Sequence, residues 1–98
     1  MYTLDNPAEF TKPLFDQRVT ETQIVAVECQ LREANVKVQW LKDEQDIIPD
    51  DRIKISSADC TQKLVIADVT MEDGGTYACV CGNAITQCKV IVQGKCIV

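Results

Sequence analysis

A chain of 98 residues that is 46% hydrophobic can form one domain around a single buried core, and needs no covalent staple to do so. A net charge of −5 and a pI near 4.5 exclude a nucleic-acid surface, which requires a surplus of lysine and arginine over acids. Apolar runs such as 24–27 and 90–92 are far too short to cross a bilayer, and the first five residues lack the basic-then-apolar pattern of a secretory leader, so no membrane role is expected.

No stretch carries apolar residues at helical spacing over three turns, whereas alternation of period two recurs along the chain, which predicts an all-β domain. Residues 1–8 are expected to be connecting chain, 9–93 the domain, and 94–98 connecting chain again. The first strand is interrupted by Pro13, which cannot donate to a ladder and is tolerated at an edge; its second half, 17–21, is expected to change layers and lie beside the last strand. "VAVECQL" directs Val25, Val27, Cys29 and Leu31 to one face. "VKVQWLK" directs Val36, Val38 and Trp40 inward and Leu41 outward, and "RIKIS" directs Ile53 and Ile55 inward. "QKLVIADV" offers Leu64 and Ile66, "TYACVC" offers Tyr77, Cys79 and Cys81, and "TQCKVIVQ" offers Cys88, Val90 and Val92. Turn-formers separate these runs at 33–35, 49–51, 56–59, 72–75 and 82–83. About seven short half-buried strands at this spacing predict a two-layer antiparallel sandwich.

Cys29, Trp40, Leu64 and the run "DGGTYAC" ending at Cys79 together resemble the immunoglobulin domain pattern. The resemblance implies that Trp40 packs against the sulfurs of Cys29 and Cys79, and that Tyr77 bonds back to the backbone as a tyrosine corner. It also implies that Asp73 pairs with Arg52, with Gly75 giving the turn room. The interval from Trp40 to Leu64 is too short for two extra strands but holds one, which points to the intermediate (I) set. "KPLFDQRVTETQIVAVECQL", "VKVQWLKDEQDI" and "DDRIKI" resemble domains of giant sarcomeric proteins such as titin, obscurin, twitchin and myosin-binding protein C. Glu44 and Thr86 depart from that pattern by replacing customary glycines, and both are expected to loosen turns.

Catalysis is not expected: histidine is absent, and no activated serine or carboxylate pair follows from the spacing. Neither a metal nor any other cofactor is expected. Cys79 and Cys81 sit two apart within one strand, no CxxC knuckle exists, and the acidic group Asp43, Glu44, Asp46, Asp50 and Asp51 lacks ordered calcium-loop spacing. Cys96 stands third from the end rather than fourth, which rules out a prenylation signal.

On the immunoglobulin pattern Cys29 faces Cys79 across the layers. A bond there would close a loop of about 50 residues and stabilise by roughly 4 kcal/mol, whereas in a reducing compartment both would be small apolar fillers. Cys29, Cys79, Cys81 and Cys88 form a candidate redox cluster, while Cys60 and Cys96 fall in a turn and a tail. The parallel pairing of Gln17, Arg18 and Val19 with the last strand, over 86–92 and including Val90 and Val92, is the candidate mechanical element. Leu41, Val80 and Ile91 are outward apolar residues suited to docking.

The resemblance implies a non-catalytic structural and interaction module, cytoplasmic in a sarcomere or cytoskeleton. It would bear force or bind a protein partner or neighbouring immunoglobulin domains in tandem, and be monomeric when isolated. The alternative is an extracellular adhesion or receptor domain with a Cys29–Cys79 disulfide.

Overall fold

A computed structural model describes residues 9–33, 36–82 and 84–94. The expectations placed on 1–8 and on Cys96 lie outside the described residues. Nine short strands are present among the described residues: β1 (Phe10–Lys12), β2 (Gln17–Thr20), β3 (Val25–Leu31), β4 (Gln39–Lys42), β5 (Gln45–Asp46), β6 (Ile53–Ala58), β7 (Thr61–Ile66), β8 (Gly75–Cys81) and β9 (Ala84–Gln93). They form a four-stranded sheet in the order β1-β3-β7-β6 and a five-stranded sheet in the order β2-β9-β8-β4-β5. All pairings are antiparallel except β2 with β9, which is parallel.

Burial follows the pleat. β3 alternates strictly, with Val25, Val27, Cys29 and Leu31 buried, and β9 does the same with Thr86, Cys88, Val90 and Val92. Leu64 and Ile66 from β7, Trp40 from β4, and Tyr77 and Cys79 from β8 complete a core shared by both sheets. The extra strands beyond the expected seven have local causes. Pro13 ends β1, Leu14 is buried where the chain crosses between layers, and β2 then joins the other sheet. β5 is the one extra short strand, ahead of β6, that fits between Trp40 and Leu64.

Three expectations need correction. Residues 36–38 lie outside β4, with Val36 and Val38 only half-buried. Ile55 faces the core side, opposite fully buried Leu64, yet remains 36% exposed because two-residue β5 is too short to cover it. Thr86 loosens no turn: it lies within β9 opposite Cys79, and its Oγ1 accepts the Leu14 N–H at 3.1 Å. That bond satisfies a donor left buried by the crossover.

Glu44 does occupy a strained turn. Lys42 pairs with Gln45, so Asp43 and Glu44 alone make the reversal, with φ of 50° and 71°. Both are left-handed, the mirror-image turn that matches strand twist and favours glycine at its second position. Asp43 has a compensating role, because its Oδ1 accepts the Thr76 N–H at 3.0 Å while its own N–H donates to the Thr76 carbonyl. Glu44 has no such bond, so Glu44→Gly is expected to raise stability by roughly 0.5–1 kcal/mol in urea titration.

Candidate functional site

Four constellations emerge from this frame. The first is a polar corner beneath the 3-10 turn Met71–Asp73. Arg52, at the entry to β6, donates Nη1–H to Asp73 Oδ2 at 3.0 Å and Nη2–H to Asp73 Oδ1 at 3.4 Å. Its Nη1 also reaches the Ala67 and Asp68 carbonyls at 3.2 Å. The Asp73 carboxylate further accepts the Thr70 N–H at 2.7 Å, and the Tyr77 hydroxyl donates to the Asp73 carbonyl. One aspartate thereby ties β6, the 3-10 turn and β8 together. Burial alone would raise the Asp73 carboxyl, but the bonds from Arg52 and Thr70 outweigh it and hold the group below its ordinary value. Burial, with the Asp73 and Asp43 charges behind it, drives Tyr77 up, so its hydroxyl remains a donor at any physiological pH.

The second constellation is the thiol group. Cys29, Cys79, Cys81 and Cys88 are all buried and free, and Cys60 is a half-buried free thiol in the β6–β7 turn. Cys79 pairs with Trp40 in the sheet and meets Cys29 thiol to thiol across the layers. Trp40 is 4% exposed, and its indole N–H has no hydrogen-bond partner among the described residues. Cys88 stands opposite Tyr77, diagonal to Cys79, and Cys81 stands opposite Ala84 at the hairpin end, outside the central cluster. The four are thus a facing pair with two unequal neighbours. The hydrogen bond to Cys29, followed by burial, raises the Cys79 thiol; burial, followed by the Asp16 and Cys29 charges, pushes Cys88 up to about 11. Protonated thiols are poor nucleophiles and poor metal ligands. Among the described residues, no three His, Cys, Asp or Glu side chains form a metal-holding group.

The third is the parallel pair β2–β9. Gln17 aligns with Val90, Arg18 with Ile91, Val19 with Val92 and Thr20 with Gln93, so the contact covers 90–93 rather than the expected 86–92. The stretch before it is tied by side chains instead: Leu14 N–H to Thr86 Oγ1 and Lys89 N–H to Asp16 Oδ1 at 2.8 Å. At the far end Glu21 N–H donates to the Gln93 carbonyl at 2.9 Å. The sequence reading missed Asp16 and Thr86. Alternation carried back from Cys88 places Thr86 inward, whereas nothing local marks Asp16.

The fourth is the outer face of the five-stranded sheet. Leu41, Ala78 and Gln87 form one row across β4, β8 and β9, and Val80 and Ile85 pair in the next. Small Ala78 floors a shallow groove of about 510 Å³ edged by Leu41, Ile85, Asp43 and Glu44. Ile91, 44% exposed, lies in a separate row beside Arg18, so it does not join Leu41 and Val80 in one patch.

Asp73→Ala is expected to cost about 2 kcal/mol, because it orphans the Arg52 and Thr70 donors of a partly exposed pair. A carboxyl with a depressed folded value stabilises above its unfolded value, near pH 4, and that stability drains away as pH falls through the folded value. The gap between wild type and Asp73→Ala should therefore be widest near neutrality and close in acid, as read by chemical denaturation across pH. Under native alkylation with peptide mapping, Cys60 should label first among the described cysteines. Cys29, Cys79 and Cys88 should label only as fast as the domain opens.

Comparison with known proteins agrees with this arrangement. The family model for the immunoglobulin I-set domain matches residues 8–93. The chain is 33% identical over 91 residues to the muscle M-line assembly protein unc-89 of Caenorhabditis elegans, covering 87% of this chain and 1% of that protein. It is 31% identical over 97 residues to human cardiac-type myosin-binding protein C, covering 97% of this chain and 8% of that protein. It therefore spans only a small part of these relatives' length. Among solved structures, domain I10 of titin superposes with a TM-score of 0.86 at 28% identity, over 90% of this chain and all of that one. With pattern, topology and relatives in agreement, the chain belongs to the immunoglobulin I-set family, alongside the domains of muscle proteins.

Proposed function

We propose that this domain is a load-bearing, non-catalytic module of a tandem array in a cytoplasmic sarcomeric or cytoskeletal protein, with residues 9–93 forming the module and the flanks connecting it to neighbours. The observation that carries this reading is the β2–β9 pair. β2 lies near one end of the domain sequence and β9 at the other, and the two strands run parallel. Force applied to the two ends pulls these strands in opposite directions along their own axes, so their hydrogen bonds are loaded together rather than one after another. The added ties at Asp16, Thr86 and Glu21 lengthen that loaded patch. Relatives among muscle proteins support the setting.

The test is single-molecule pulling on a concatemer of this domain. Asp16→Ala and Glu21→Pro each remove one tie at a cost of roughly 1 kcal/mol in equilibrium stability. Both should lower the unfolding force, while Thr70→Ala, chosen to cost similar stability away from the pair, should leave it near wild type. A force that follows overall stability in all three variants would refute the mechanical role.

The facing Cys29 and Cys79 thiols favour one second reading, in which an oxidising setting joins them and the domain serves extracellular recognition. Thiol counting on denatured native protein separates the two. In the cytoplasmic reading Cys29, Cys79, Cys81 and Cys88 are an oxidisable reserve of thiols, and exchange of the Cys29–Cys79 pair with a small-molecule disulfide, which leaves as two thiols, would tie the layers together.

A further inference from the structure

The four-stranded sheet ends at β6, and part of that edge is open. The Ala67 N–H donates to the Arg52 carbonyl at 2.9 Å, which makes position 52 a hydrogen-bonded partner of β7. By the alternation of an antiparallel ladder, Lys54 and Ser56 then also bond toward β7, while Ile53, Ile55 and Ser57 turn their N–H and C=O groups outward. The first of these is closed by the chain itself: Asp50 Oδ1 accepts the Ile53 N–H at 2.9 Å, and the Asp50 N–H donates to the Ile53 carbonyl at 3.0 Å. Among the described residues, none closes the next two. Five of the six residues of β6 are exposed, none is proline, and its only charge is Lys54.

The side chains beside this edge are also uncovered. Ile55 and Ser57 face the core side, opposite Leu64 and buried Gln62, and with Val36 and Val38 they line a cleft of about 310 Å³. Below it a second cleft of about 370 Å³ lies between β5 and β6, lined by Ile47, Ile48 and Ile53 together with Asp43, Asp46 and Lys42, whose ammonium is engaged by the Glu72 carbonyl. Ile48 is 78% exposed. An apolar seam thus runs along the sandwich where β5 stops short, and its lower half carries two carboxylates against one lysine.

We propose that β6 is a docking edge for an extended segment of a partner protein, which adds as a fifth strand by bonding to Ile55 and Ser57. That segment places alternate apolar side chains over Ile55 and Val38, and carries basic residues at the end lying beside Asp43 and Asp46. Paired main-chain donors and acceptors select an extended backbone, the clefts select apolar side chains two residues apart, and the carboxylates select the charge. The proposal deepens the reading of the domain as a structural and interaction module. It does not depend on the β2–β9 pair, so pulling and binding can fail separately.

The probe is a nine-residue peptide of alternating valine and threonine with two lysines at one end, titrated into the domain and followed by amide NMR and hydrogen exchange. Protection of the Ile55 and Ser57 amides, with exchange slowed at least about tenfold, is expected. The same peptide N-methylated at alternate residues should give no protection, and two glutamates in place of the lysines should weaken binding several-fold at low salt. Ser57→Pro removes an outward donor without touching the β6–β7 ladder and should abolish binding while melting close to wild type. The N-methylated peptide serves the same purpose if that variant does not fold. Unchanged exchange at Ile55 and Ser57 at millimolar peptide overturns the proposal, as do shifts centred on Leu41, Ala78 and Ile85. Concentration-dependent protection of the same amides without peptide overturns it too, since the occupant would then be a second copy.

Discussion

The contact on which this domain depends is the meeting of Cys29 and Cys79 against Trp40, where one strand from each sheet is held at packing distance across the layers. Neither sheet can bury its apolar face alone, so each exists as an ordered element only because the other covers it. Cysteine suits the position because a larger side chain would force the layers apart around the indole. Removing Trp40 itself would leave a void worth several kcal/mol, about 3–5 for a large aromatic in a core. The polar corner at Asp73 and the parallel pair at β2 are peripheral to that contact, and both are anchored by strands that it positions.

Much of this was legible in the sequence because it is periodic. A side-chain period of two makes each buried strand readable, and β3 and β9 follow it without exception. The pairing of Arg52 with Asp73 and the bond from Tyr77 were expected by resemblance, and the structure brings those residues together. What was not legible depends on relations between distant segments. Asp16 is an ordinary turn aspartate until the chain crossing brings it to Lys89, and Ile55 reads as a core residue until the brevity of β5 leaves it uncovered. The extent of β9 alongside β2 was also not legible: the ladder covers 90–93 and not 86–92, because alternation says which residues face inward but not where a parallel pair begins.

The thiols follow the same logic of place over composition. Four inward cysteines suggest an interchangeable set, but the sheet register separates them. Cys79 has a direct partner across the layers, Cys88 is diagonal to it, and Cys81 is at the hairpin end. At Cys79 and Cys88 the burial that suits a core residue also helps keep the proton in place, so packing and reactivity are opposed at those two positions.

Asp43 and Gly75 show how tightly two remote positions can be bound. A Cβ built on Gly75 would lie 2.8 Å from Asp43 Oδ2, the carboxylate that also holds the Thr76 N–H. Any larger residue at 75 would evict that carboxylate and unhook the hairpin it steadies, and a shorter residue at 43 would not release the position, because Gly75 also holds a φ of 154° that L side chains rarely adopt. Descent should therefore hold glycine at 75 whatever stands at 43, while a change at 43 gives up only the carboxylate's hold on the Thr76 N–H.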